Sequence, residues 1–158
     1  MKKKVLILVI LALVIVAVGG VAGYMIVTRK ATTVDAFEKT AKSYDEKFEV
    51  SNPGDMNNVK EAVVAKNGQR YSVYFMKMDS EQAAINAFAA NKNDYSLFEV
   101  DATEHEYKRG LNFHTYTVKT DSKYCAFSQV KDTFVFACVD PRYQDDIDGL
   151  FAEMGYLK

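Results

Sequence analysis

The sequence predicts an α+β protein: an N-terminal transmembrane helix, then a two-layer domain with a mainly antiparallel sheet and three helices on one face. Three observations predict it. The run from Val5 to Val27 carries no charge. Three later stretches repeat apolar residues at spacings of three and four, the signature of an amphipathic helix. The stretches between them are rich in Val, Tyr and Phe and are joined by short turns, which pairs neighbouring strands antiparallel.

Residues 1–30 form the first unit. At about 1.5 Å per residue, the uncharged run reaches roughly 34 Å, enough to cross a bilayer core. It exceeds the apolar core of a cleavable signal peptide, and Arg29-Lys30 closes it as a stop. Small residues at Gly20-Val21-Ala22 leave processing as the alternative, and the absence of a nearby cysteine excludes a lipoprotein anchor. Lys2, Lys3 and Lys4 outnumber Arg29 and Lys30, which puts the amino terminus in the cytoplasm and residues 31–158 outside a cell membrane crossed once. Membrane lipid, contacted through residues 5–27, is therefore the first expected partner. Gly19 and Gly23 lie one turn apart, a spacing that lets membrane helices approach closely.

Residues 31–158 form the second unit. Five of the 20 Lys+Arg precede it and none of the 21 Asp+Glu do, so the domain carries 15 against 21, a net charge of −6. That balance argues against nucleic acid and against docking on anionic lipid. The first helix is capped by Thr32, with Asp35 three residues on, and Val34, Phe37, Ala41, Tyr44 and Phe48 mark its apolar face. Asn52-Pro53-Gly54 ends that segment. Asn67-Gly68 predicts a tight hairpin between strands at 59–65 and 70–78. Asp79 then caps a second helix with Ala84, Ile85, Phe88 and Ala89 inward. A weak edge strand is placed near Leu97–Val100. The last third reads as a meander of strands at 111–119, 123–130 and 134–139. A final helix begins at Asp140-Pro141 with Ile147, Leu150, Phe151 and Met154 inward and Gly155 as its C-terminal cap.

In this layout the chain resembles small single-pass, membrane-anchored proteins of Gram-positive bacteria. The resemblance rests on the anchor, the capped helix after it, Gly110-Leu111-Asn112-Phe113, Val130-Lys131-Asp132-Thr133 and Gly155-Tyr156. It implies an outer domain and supplies no catalytic residue or cofactor.

The chemistry-bearing residues are few. Cys125 and Cys138 sit symmetrically about Lys131-Asp132. A two- or four-residue loop there makes them a cross-strand pair; with the tight loop the pair is not hydrogen-bonded, about 4.5 Å between Cα atoms, within reach of a disulfide. Two reduced core cysteines are the alternative; thiol catalysis or metal binding lacks the helix-start or multi-ligand pattern it needs. His105, flanked by Glu104 and Glu106, and His114 are ligand types, but in a strand His105 points away from its glutamates. Asp145, Asp146 and Asp148 suit the start of a helix and lack the glycine of a calcium loop. Ser128 and Lys131 have the serine–lysine spacing of penicillin-binding enzymes, but here it falls on a strand and a turn.

The chain holds 10 Tyr and 10 Phe and no Trp. Tyr71, Tyr74, Phe113 and Tyr116 are the candidate aromatics of an exposed contact surface for a protein or cell-envelope partner. The expected function is a non-catalytic, membrane-tethered binding module. The alternatives are an envelope enzyme using carboxylates or histidines, and an accessory subunit of a membrane complex held by Gly19 and Gly23.

Overall fold

A computed structural model describes residues 28–96 and 100–157. The anchor, Gly19 and Gly23 lie outside these residues. Among the described residues, no helix is long and apolar enough to cross a membrane.

Seven antiparallel strands form one sheet: β1 (Phe48–Ser51), β2 (Val59–Asn67), β3 (Tyr71–Met78), β4 (Glu104–Arg109), β5 (Phe113–Lys119), β6 (Tyr124–Val130) and β7 (Thr133–Val139). Their spatial order is β1-β2-β3-β7-β6-β5-β4. Among the described residues, three helices, α1 (Val34–Tyr44), α2 (Glu81–Ser96) and α3 (Gln144–Glu153), complete the α+β fold.

The helices do not share one face, which corrects the two-layer expectation. Helices α1 and α3 cover one side: Phe37, Ala41, Ile147, Leu150 and Phe151 pack with Val73, Phe75, Ala126, Val135 and Ala137. Helix α2 covers the other, where Phe88 packs with Tyr116, Val118, Cys125, Phe127 and Phe134. Successive strand residues point to opposite faces, and every residue of β6 is buried. The central strands are thus apolar on both sides, and a sheet of that kind needs helices on both. The result is three layers.

Local differences have local causes. Thr33, not Thr32, caps α1 by accepting from the Ala36 amide at 3.2 Å. Ser80 does the same for α2 through Ala83 at 3.1 Å, in place of Asp79. Ala89 is exposed, and Ala87 packs inward instead. Asn67 belongs to β2 and faces Tyr71, so the hairpin loop is Gly68–Arg70 rather than an Asn67-Gly68 turn. The edge strand is Glu104–Arg109, well past Val100. The last helix follows the sequence closely. Asp140 caps a 3-10 turn at Pro141–Tyr143, and Gly155, at φ +81°, ends α3 as the Tyr156 amide returns to the Phe151 carbonyl at 2.8 Å. Gly149 is where α3 meets α1, and a side chain there would collide with the Tyr44 hydroxyl.

Candidate functional site

The face under α2 carries a row of rings built by strand register. Tyr74 of β3 faces Phe136 of β7, Phe136 faces Phe127 of β6, Phe127 faces Tyr116 of β5, and Tyr116 faces Tyr107 of β4. Ring centroids are 4.6 Å apart for Tyr74 and Phe136, 6.2 Å for Phe136 and Phe127, and 6.1 Å for Phe127 and Tyr116. Directly opposed strand residues are the closest side-chain neighbours in a sheet, so such a row is self-supporting.

Helix α2 covers only part of it. Tyr95 packs on Phe127 at 5.0 Å, Phe88 approaches Tyr107 at 6.3 Å, and the Lys92 ammonium lies 5.3 Å from the rings of Tyr107 and Tyr116. Tyr116 and Phe127 are fully buried as a result. Tyr74 and Phe136 stay half-buried, their rings stacked within 7° of parallel. Three of the four aromatics expected at the surface are therefore core residues: Tyr71 and Phe113 under α1 and α3, and Tyr116 under α2. Continuous apolar strands bury both faces, and alternation alone did not reveal this. Tyr74 is the one that remains accessible, and Phe136 beside it was missed.

The cysteines sit on the same face. Gln129 faces Phe134, Phe127 faces Phe136 and Cys125 faces Cys138, the register a two-residue turn requires. Lys131 adopts the positive φ, 52°, of such a turn. The two cysteine Cα atoms are 4.1 Å apart and their sulfurs meet in a disulfide-compatible pair. Cys125 is buried, and Cys138 is half-buried next to the Tyr74–Phe136 end of the ring row.

The two histidines do not converge. His105 faces Val118, whereas His114 faces Arg109. His114 Nδ1 is 2.9 Å from the Tyr107 hydroxyl and its ring lies 5.4 Å from Phe88. Burial, and then the nearby Arg109 charge, hold the His114 pKa below its ordinary value. Glu104 and Glu106 pair with Lys119 at 3.5 Å and Lys108 at 3.0 Å. Together with Tyr124 and Asp148 they line a cleft of about 490 Å³ between β4, β5 and α3. The Tyr124 hydroxyl donates to Asp148 Oδ1; burial and that bond push the phenol well above its usual range, so it stays protonated. His105, Lys108 and Lys119 line the same cleft, whose wall also includes Ala152 and Leu157. Ser128 is buried and donates to the Tyr156 carbonyl, away from the exposed Lys131. No group of His, Cys, Asp and Glu among the described residues is arranged to hold a metal.

A second constellation was not legible in the sequence. Where the described chain begins, Arg29 is bound into the domain. Its amide donates to Asn112 Oδ1 at 2.9 Å, and Asn112 Nδ2 donates back to the Arg29 carbonyl at 2.8 Å. Arg29 Nη1 donates to Thr115 Oγ1 at 2.9 Å and to the Tyr156 carbonyl. The guanidinium lies 3.9 Å from the Phe113 ring centroid, and burial lowers its pKa. The Tyr156 carbonyl also accepts from Ser128 at 2.9 Å and Thr115 at 3.3 Å. Both ends of the domain are thus fastened at the start of β5.

No family model matches the chain. No curated protein matches it either. Among solved structures, a crystal structure titled as a GTP binding regulator from Thermotoga maritima aligns over 80% of this chain and 90% of that one, at 9% identity and a TM-score of 0.43, a likeness too slight to inform fold or function.

Proposed function

We propose that the protein is a membrane-tethered, extracytoplasmic binding module without catalysis, and that it takes a protein or cell-envelope partner at the Tyr74–Phe136 end of the ring row. The observation that carries this reading is the half-buried, stacked pair Tyr74 and Phe136, at the end of the row opposite the exposed Tyr107 and beside the sealed Phe127. A flat ring pair offers large contact area at little entropic cost, the usual character of an interface anchor. The tether is residues 5–27, with the domain on the outer side of the membrane. His114 lies outside the cleft that His105 lines, and the glutamates there are paired with lysines, which favours this reading over an envelope enzyme.

The test is photo-crosslinking in intact membranes with the probe at position 74, compared with the exposed position 42 on α1. A discrete adduct at 74, absent at 42 and lost on Phe136→Lys, supports the reading. No adduct at 74, or the same adducts at both positions, removes it.

A further inference from the structure

Three turns at one end of the sheet are joined by backbone hydrogen bonds into a rim. The Lys131 amide donates to the Asn112 carbonyl at 2.9 Å, the Met78 amide to the Asp132 carbonyl at 2.7 Å, and the Asp79 amide to the Asn58 carbonyl at 3.0 Å. The rim follows the strand order β5, β6, β7, β3, β2. Two large apolar side chains stand out from it, Leu111 at 65% exposure and Met56 at 39%. At about 4.8 Å per strand, the β5 and β2 ends of the rim lie roughly 19 Å apart. Charges on the rim balance: Arg29, Lys30 and Lys131 stand against Asp55, Asp79 and Asp132, unlike the acidic domain as a whole.

We infer that this rim is a lipid-contacting surface, with Leu111 and Met56 immersed in the interfacial layer of the bilayer that holds the tether. The inference rests on the tether reading above and adds where the domain sits. Arg29 is locked to Asn112, the residue after Leu111, and only Thr28 separates it from Val27 at the end of the uncharged run. Two residues of extended chain reach about 7 Å. The polar layer on each side of a bilayer is about 5–8 Å deep. A tether ending at Val27 therefore leaves no slack to lift the rim clear of the headgroups. An exposed leucine at that depth is apolar surface removed from water, and the balanced charge lets the rim approach a membrane that would repel the rest of the domain. The two apolar points and the anchor fix the sheet's tilt, with the Gly68–Arg70 loop pointing away from the membrane.

The chain has no tryptophan, so Leu111→Trp gives a single reporter in the full-length protein. The experiment reconstitutes this variant in phosphatidylcholine vesicles with and without brominated acyl chains. Met56→Trp serves as a second reporter and Gln69→Trp as the far-end control. Quenching several-fold stronger for the Leu111→Trp and Met56→Trp variants than for Gln69→Trp, with blue-shifted emission, is expected. Vesicles that float with the protein while the first two variants are quenched no more than the far-end control overturn the inference and leave the tether standing. That is also the outcome if the rim is a site for a protein partner, which these vesicles lack. Protein that fails to float with vesicles overturns the tether, and the inference with it. If Leu111→Trp does not fold, Met56→Trp against Gln69→Trp decides.

Discussion

Arg29 and Asn112 exchange two hydrogen bonds, amide to side-chain oxygen at 2.9 Å and side-chain nitrogen to carbonyl at 2.8 Å. Asn112→Ala removes both and leaves a part-buried backbone amide and carbonyl to find water. The expected loss is about 1–3 kcal/mol in denaturant titrations. Arg29→Ala keeps those backbone bonds and removes the guanidinium's bonds to Thr115 and the Tyr156 carbonyl; combined with Asn112→Ala, the losses fall short of additive because both changes loosen the same clamp at the start of β5. Full additivity would show that the clamp is not a unit.

Cys125 and Cys138 are 13 residues apart, a short loop that a bridge closes with roughly 3 kcal/mol of stabilisation in the chain-entropy model. Protein purified from cells without reductant should contain no titratable thiol before reduction. Cys125→Ala should keep the fold and lose about 2–5 kcal/mol. A variant as stable as the parent would mean that the pair stays reduced.

Two tyrosines in the same row should behave oppositely. Tyr116 is fully buried, and Tyr116→Ala should cost about 3–5 kcal/mol, as large core truncations do. Tyr74 is half-buried at its end of the row, so Tyr74→Ser should cost much less while abolishing the adduct formed by a probe placed at position 136. Equal destabilisation of the two would argue that Tyr74 is a packing residue only.

Alkaline pH should loosen the domain. Burial pushes the Tyr156 phenol up to about 12, against the partial relief of its bond to Thr133 at 2.6 Å. Tyr71 is likewise pushed up to about 12, and Tyr124 is raised too, each first by burial. The folded pKa lies above the unfolded value near 10, so this contribution is complete below pH 10 and is lost as pH rises towards 12. For Tyr156 alone the slope is about 1.4 kcal/mol per pH unit. Urea midpoints measured from pH 8 to 11.5 should fall above pH 10. Tyr156→Phe should start lower, by about 1 kcal/mol for the lost hydrogen bond, and fall less steeply.

Much of the domain at 31–158 was legible because its signals were local. The β6–β7 hairpin needs only a polar two-residue turn and symmetric arms, and the last helix announces both ends with Asp140-Pro141 and Gly155. Asn67 shows where local reading stops. Its turn-forming chemistry is overridden because Nδ2 donates to Asp45 Oδ2 at 2.8 Å, a bond to a residue far earlier in the chain. Strand β4 was missed because all six of its residues are exposed, so it carries no apolar period and holds its place by pairing with β5. The face chosen by α2 was hidden for a different reason. Alternation separates inward from outward residues on a strand, but β6 has no outward side. Arg29 read as the charge that stops a membrane segment, and its bonds to residues 83 to 127 positions away leave no local trace.

The Arg29–Tyr156 contact also sets an order of events during synthesis. Arg29 leaves the ribosome near the start of the domain and its acceptor, the Tyr156 carbonyl, 127 residues later. Strand β3 waits in the same way, because its second neighbour is β7 rather than β4. Until β7 emerges, the first hairpin has one unpaired edge and its Val73 and Phe75 lack part of their cover. Long-range pairings of this kind make completion slow and leave the nascent chain sticky for its whole passage. Truncation by even the last three residues should therefore yield a chain that has every strand and still fails to lock, held open at the point where its beginning and its end should meet.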